Sequence, residues 1–304
     1  MHREKEVVAA EGKGKAFFAL WAAVILWSSS FIALKFAFQR FDPMVVIFGR
    51  MFIASLCFLL VFKSLKHINY RAGDWKLLLF MGICEPGFYF IFEAMALTYT
   101  DASQAGMICA LLPLLVAIAA RFTLGERISR KTLSGFGLAI VGAIALSAAA
   151  TSTETAPNPI LGNFLEFMAM ICATGYMISL KKLTPRYNPW FLTMIQAFIG
   201  TFFYFPLLFL PTTTMPTHFD LTGIATIAYL GIFVTIFAYG LYNYGMSKIP
   251  ASQASAFVNL IPVITLILGW LLLHERLNWI QYAASGVVIA GVYISQDKKS
   301  AKQN

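Results

Sequence analysis

Four ionisable side chains, Arg50, Glu85, Glu93 and Glu166, stand deep inside apolar stretches of this chain. Each is costly in hydrocarbon and persists only where it is paired or put to use. Glu85, Tyr89 and Glu93 recur at i, i+4 and i+8, so a helix carries them along one slowly drifting face. Pro86 and Gly87 follow Glu85 directly, and a proline removes a backbone donor and loosens the helix there. No cation is matched to the depth of Glu85. A lone carboxyl in low dielectric suits proton exchange or the capture of a substrate ammonium. The structural alternative is a protonated carboxyl hydrogen-bonded to a neighbouring helix. Arg50 and Glu93 lie at similar depth on consecutive stretches, where a guanidinium fork could meet a carboxylate across a hairpin. Such a pair reads either as a strut or as a gate or substrate contact.

Around these charges the polar tips sit on aromatic helices. Trp27, Ser30, Tyr176, Tyr239, Asn243, Asn259 and Trp270, with Glu85 and Tyr89, are the candidate binding residues of a cavity suited to an amphipathic solute. Pro113 and Pro262 occupy equivalent positions within their stretches, each a packing kink or a hinge. Glu126-Arg127 and Glu275-Arg276 fall where apolar stretches end, which suggests local ion pairs or snorkelling. Gly135, Gly137, Gly142, Gly286 and Gly291 suit close contacts between helices.

The elements that must hold these residues are membrane helices. Hydrophobic residues make up 59% of the chain, charged residues 12%, and the mean hydropathy is +0.72, which excludes a soluble globular domain. A helical span needs about 20 largely apolar residues. Ten stretches qualify: 16–36, 43–62, 75–97, 102–122, 132–149, 160–180, 189–210, 221–246, 252–273 and 279–295. The net charge of +9 is topology, not a nucleic-acid footprint. With a cytoplasmic start, 19 Lys and Arg residues fall in inner loops and tails. The outer segments hold 3, Lys35, Arg40 and Arg276. That is the positive-inside pattern, with both termini cytoplasmic. The first stretch lacks a small-residue cleavage site and reads as an uncleaved first helix. Cys57, Cys84, Cys109 and Cys172 lie within apolar stretches as small hydrophobes, and the four histidines lack metal-site spacing. No metal, cofactor or nucleic-acid partner is implied. Nor is an enzyme, since no Ser/His/Asp set or paired loop carboxylates are visible.

The region from Ala102 to Gly142 repeats from Ala251 to Gly291 at a constant offset of 149 residues. Ala102, Ser103, Gln104, Ala105, Pro113, Glu126, Arg127, Gly137 and Gly142 all find identical partners. Earlier in the halves, Arg40 and Pro43 match Arg186 and Pro189 at an offset of 146, while Gly82 and Phe88 match Gly231 and Phe237 at 149. Five spans per repeat is an odd number, so the second half enters the bilayer from the opposite side. Inverted repeats let two similar halves exchange conformations and so alternate access to a central site.

With Trp27-Ser28-Ser29-Ser30-Phe31 and Lys35 in the first span, Pro43 and Arg50 in the second, and the duplicated Ala, Pro, Gly-Glu-Arg and Gly positions, the chain resembles the drug/metabolite transporter superfamily. Within it, the chain is similar to the ten-helix transporters built from paired EamA domains. His274, where the family has Gly before Glu275, and Ala173-Thr174-Gly175-Tyr176 in the sixth span depart from the pattern. The resemblance implies an all-α membrane protein of ten helices in two inverted five-helix repeats, spans 1–4 and 6–9 enclosing a cavity and spans 5 and 10 peripheral. The expected layout is a cytoplasmic tail at 1–15, a first repeat at 16–149, a periplasmic linker at 150–159, a second repeat at 160–296 and a cytoplasmic tail at 297–304.

The expected function is secondary transport across a bacterial inner membrane. The transporter would export small organic metabolites, such as amino acids, related amines or aromatic compounds, by alternating access with protons coupled through Glu85. A lipid-linked carrier or flippase of the same superfamily is the alternative. Its expected partners are a small-molecule substrate, the lipid bilayer and protons. No oligomeric state is legible in the pattern.

Overall fold

The computed structural model describes residues 2–61, 70–126 and 128–295, with side chains from residue 14 onward. Arg127, Lys63, Lys66, Lys298, Lys299 and Lys302, all expected on the inner face, and the tail at 297–304 lie outside the described residues. The side chains of Arg3, Lys5 and Lys13 lie outside them as well.

The described residues form helices and no strand. Among the described residues, nine helices are long and apolar enough to cross a membrane. They are α1 (Gly14–Phe38), α2 (Pro43–Val61), α3 (Asp74–Tyr99), α4 (Ala102–Thr123), α5 (Arg130–Ala148), α6 (Pro159–Leu183), α7 (Pro189–Phe209), α8 (Leu221–Lys248) and α9 (Ala251–Leu272). A shorter apolar helix, α10 (Trp279–Ser295), completes the set. Starts are marked chemically. Asn158, Asn188 and Asp220 accept backbone N–H bonds at the mouths of α6, α7 and α8, and Pro159 and Pro189 occupy first-turn positions where no amide hydrogen is needed.

Helices pair across the two halves: α1 with α8, α3 with α6, α2 with α7, α4 with α9 and α5 with α10. Glycines show the direction of the last pair. A Cβ on Gly142 would sit 2.7 Å from the backbone nitrogen of Val288, with Ala284 beside it. One on Gly291 would strike Gly135 and Ala139. Residue numbers rise along one helix as they fall along the other, so α5 and α10 are antiparallel. The two contact sets are images of each other at the offset of 149, which makes the halves inverted. Gly137 and Gly286 do not take part in this packing, contrary to expectation, because a Cβ on either meets nothing within 4 Å. Two residues from Gly135, a helix has turned about 200°, and these glycines point away from the seam.

The Glu126 and Glu275 positions also differ from expectation. After α4 and α9 the chain turns through left-handed residues, Gly125 (φ 72°) and His274 (φ 56°). The amides of Glu126 and Glu275 then reach back to the carbonyls of Ala120 and Gly269 at 3.2 and 3.1 Å, the Schellman pattern of helix ends. That turn aims each carboxylate across the molecule; for Glu275 this stands in place of the expected pairing with Arg276, while the expected Glu126–Arg127 pairing lies outside the described residues. Glu275 accepts from the amides of Ala102 and Ser103 at the start of α4, both at 2.9 Å, and from the Ser103 hydroxyl at 2.5 Å. Glu126 accepts from the amide of Ala251 at the start of α9 at 3.3 Å. Each half thus caps a helix of the other.

Two predictions follow from these glycine and turn geometries. Gly142→Ala should lower the unfolding free energy in detergent by about 1–3 kcal/mol, while Gly137→Ala should leave it unchanged or raise it by up to about 1 kcal/mol. His274→Gly relieves a left-handed backbone and should raise it by about 1 kcal/mol. Thermal or denaturant unfolding of the purified variants measures all three, and equal losses at Gly142 and Gly137 would contradict the seam.

Candidate functional site

Spans that would be straight helices by composition break at matched places. In α3 the helix is kinked within Ile83–Phe88, where Glu85 takes an extended conformation (φ −150°, ψ 115°). In α8 the segment Leu230–Ala238 is π-helical. In α4 and α9 the turns Cys109–Leu111 and Ala256–Leu260 are 3₁₀, and Pro113 and Pro262 each enter the following α-helical segment at its start. Breaks of these kinds commonly mark functional positions within helices. The prolines therefore sit where their spans change winding, and the assignment of a hinge to them remains a proposal.

At the centre, α1, α2, α3, α4, α6, α8 and α9 line one cavity. The space open to a water centre is about 30 Å³, room for about two waters, so the chamber is nearly closed around its groups. Trp27 and Ser30 from α1, Arg50 from α2, Glu85, Tyr89 and Glu93 from α3 and Tyr239 from α8 all face it. The two halves therefore build one chamber, and Arg50, Glu85 and Glu93 gather in it.

Its hydrogen bonds differ from the sequence expectation at Arg50, Glu93 and Glu85. Arg50 does not pair with Glu93: among the described residues the ion pairs are Arg40–Asp220 and Arg186–Asp74. Arg50 instead crosses to α8, where its Nε donates to Thr235 Oγ1 at 3.0 Å, and its guanidinium lies 4.3 Å from the centre of the Phe90 ring. Glu93 Oε1 accepts from Tyr89 at 3.0 Å, one turn back on its own helix. Glu85 is not solitary either, because Tyr239 donates to its Oε1 at 2.5 Å. Its Oε2 is buried without a hydrogen-bond partner, as is the indole nitrogen of Trp27 on the same cavity wall. The face carrying Glu85, Tyr89 and Glu93 is interrupted at Glu85, yet all three reach the chamber.

Tyr176 and Asn243 lie behind the wall. Tyr176 donates to Asn243 Oδ1 at 2.5 Å, and Asn243 donates to Thr193 and Gln196 of α7 at 2.9 and 3.2 Å. Gln196 then donates to the backbone carbonyl of Glu85 at 3.0 Å. Asn259 sits in the 3₁₀ turn beside the lining residue Val258, its Oδ1 buried without a partner. Trp270 is a correction: 54% exposed on the outside of α9, it faces away from the chamber.

Sequence reasoning missed the contribution of α7. The extended Glu85 frees backbone carbonyls from the helix ladder, and in hydrocarbon only the protein can satisfy them. Gln196 takes the carbonyl of Glu85, and Tyr204 donates to those of Pro86 and Gly87. The signal was a glutamine inside an apolar span, which deserved the same weight as the charges. Glu166 on α6 is also fully buried, accepting from Cys109 Sγ at 3.5 Å with its Oε2 without a partner. Among the described residues, no group of three or more His, Cys, Asp or Glu side chains is placed to hold a metal.

Tyr204→Phe should destabilise the protein by about 1–3 kcal/mol, since it leaves carbonyls at the α3 break with no donor. Detergent unfolding against the parent measures this, and an unchanged midpoint would show that Tyr204 does not hold the break.

Comparison with known proteins agrees with this architecture. The chain is 30% identical to an uncharacterized transporter of Archaeoglobus fulgidus, over 94% of this chain and 100% of that one. It is 25% identical to a probable amino-acid metabolite efflux pump of Escherichia coli, covering 90% and 91% of the two chains. A probable terminal-alkyne amino-acid exporter of Streptantibioticus cattleyicolor is 22% identical, with 92% and 93% covered. A solved crystal structure superposes with a TM-score of 0.68 at 17% identity, covering 95% of this chain and 98% of that one; it shares the fold. The EamA-like transporter family matches residues 14–148 and again residues 160–295. An integral membrane transporter and not an enzyme, this chain belongs to the EamA-like transporter family.

Proposed function

We propose that this transporter exports amino acids or closely related amine-bearing and aromatic metabolites by alternating access, with Glu85 coupling the flux to protons. It would work in a bacterial cytoplasmic membrane with both termini inside. The observation that carries the reading is Glu85 itself. It is a carboxyl held on a helix break in a chamber shared by both halves, one oxygen bonded to Tyr239 and the other without a partner. Such a carboxyl can take a proton or an ammonium group, but not both at once. Competition between the two ligands is the elementary requirement for exchange.

Arg50 and the Trp27 indole add hydrogen-bond donors to the same wall, a setting for the carboxylate or ring of the solute. Names of related proteins point to the same class, since two of them are called amino-acid exporters or efflux pumps. A chamber with room for about two waters must open before a metabolite enters, as alternating access requires. Trp27, Ser30, Glu85, Tyr89 and Tyr239 form the proposed contact set. Tyr176, Asn243 and Asn259 support it from behind or beside the wall.

Proteoliposome counterflow with amino acids, amines, nucleosides and sugars, run with and without an imposed pH gradient, tests this function. One class should exchange, faster with the gradient. Glu85→Gln should abolish the gradient response and slow exchange on the order of tenfold or more. A variant as fast and as gradient-dependent as the parent removes Glu85 from coupling. Trp27→Ala should lose most of the activity, while the outward-facing Trp270→Ala should stay within about twofold of the parent. Movement of lipid-linked solutes would instead appear as indifference to every water-soluble compound tested.

A further inference from the structure

The repeat relationship reaches the two rims of the bundle, where charged residues join one half to the other. On the face that carries both chain ends, Arg186 follows α6 and binds Asp74, the first residue of α3, through two nitrogens at 2.6 and 2.9 Å. The Tyr187 hydroxyl donates to the same carboxylate at 2.7 Å and the amide of Arg71 at 3.0 Å. On the far face, Arg40 follows α1 and binds Asp220, at the mouth of α8, through one nitrogen at 2.6 Å. Arg40 and Arg186 are equivalents at the offset of 146, and each aspartate opens the third span of its half. One interaction is therefore built twice, on opposite membrane faces, each time tying the end of the first span of one half to the third span of the other.

Equivalent lysines stand beside the two pairs but reach different partners. Lys181 donates to the carbonyls of Met246 and Ile249 at the end of α8, at 2.9 and 2.6 Å. Its equivalent, Lys35, donates to the carbonyl of Thr155 on the far face at 2.9 Å. The reciprocal caps of Glu126 on α9 and Glu275 on α4 lie on the same two faces as Lys181 and Lys35 respectively.

We propose that Asp74–Arg186 and Asp220–Arg40 are a pair of opposed clamps that set which face of the transporter opens. The idea rests on the alternating-access reading above. When inverted halves exchange conformations, an interaction on one face should release as its equivalent on the other closes. Here both are closed, with a chamber too small for a metabolite between them. The clamps are unequal. Asp74 takes a two-pronged guanidinium contact and a tyrosine hydroxyl, in side chains 21% and 11% exposed, against 41% and 18% for Arg40 and Asp220. Less water and a bidentate fork make the former the stronger hold. The protein therefore opens more readily on the far face than on the face of its termini.

The lining residue Cys109 reports the open side. With Cys57, Cys84 and Cys172 replaced by alanine, a membrane-impermeant charged methanethiosulfonate is applied to one face at a time of proteoliposomes of uniform orientation. The measured quantity is the ratio of Cys109 labelling rates from the terminal face and the far face, without substrate. Asp74→Asn should raise that ratio about five- to tenfold. Asp220→Asn should lower it about two- to threefold. The exchanged pair Asp74→Arg with Arg186→Asp should return it towards the parent, which a merely structural role would not do. Arg186→Gln and Arg40→Gln read the same two clamps if an aspartate variant fails to insert. Shifts in the same direction from both faces, or no shift from either, overturn the clamps while leaving transport intact. A parent that labels from neither face overturns alternating access and this proposal with it.

Discussion

A break in a helix within hydrocarbon must be repaired by the protein, because lipid offers no hydrogen bonds to the groups set free. The extended Glu85 is such a break. Its repair organises the chamber: Gln196 and Tyr204 of α7 hold the carbonyls of residues 85–87, and Asn243 and Tyr176 brace Gln196 from behind. With the backbone held in this way, the Glu85 side chain reaches Tyr239 instead of lying along its own helix. The polar layer behind the wall is what lets an irregular, chemically useful backbone exist at this depth.

Duplication supplies the second organising fact. Similar local devices recur at equivalent places: helix irregularities within α3 and α8 (a kink at Glu85 and a π-helical segment at Leu230–Ala238), 3₁₀ turns before Pro113 and Pro262, left-handed turns at Gly125 and His274, and carboxylate caps from Glu126 and Glu275. Chemistry, by contrast, is asymmetric. Glu85, Tyr89 and Glu93 come from α3 and Arg50 from α2, while α8 brings Tyr239 to Glu85 and Thr235 to Arg50. A symmetric frame thus carries a one-sided site.

Substitution of His for Gly at 274 shows how firmly the frame is held. Histidine carries a Cβ into a left-handed turn that Gly125 enters freely in the first half, which costs about 1–2 kcal/mol. The turn survives because Glu275, which it aims, makes three hydrogen bonds across the molecule. Glu126, aimed by the unstrained turn, makes one longer bond to α9. Local strain and a stronger tertiary contact go together.

How much of this was legible in the residues follows from what each kind of interaction requires. Ten apolar stretches, an inverted repeat and a transporter of the EamA type were open to reading, because burial in lipid demands length and composition, and duplication leaves matched Gln, Pro, Glu and Arg residues. The gathering of Arg50, Glu85 and Glu93 was also foreseeable, since charge within a span is too costly to be idle. Partner choice was not. Depth suggested Arg50 with Glu93, but the rotation of α2 turns the guanidinium to Thr235 and Phe90. Composition made Trp270 an equal of Trp27, yet helix packing sends one to the surface and the other to the wall. Linear order fixes which groups enter the membrane and how deep they lie. Which way they face depends on rotations and breaks settled only when all ten helices pack.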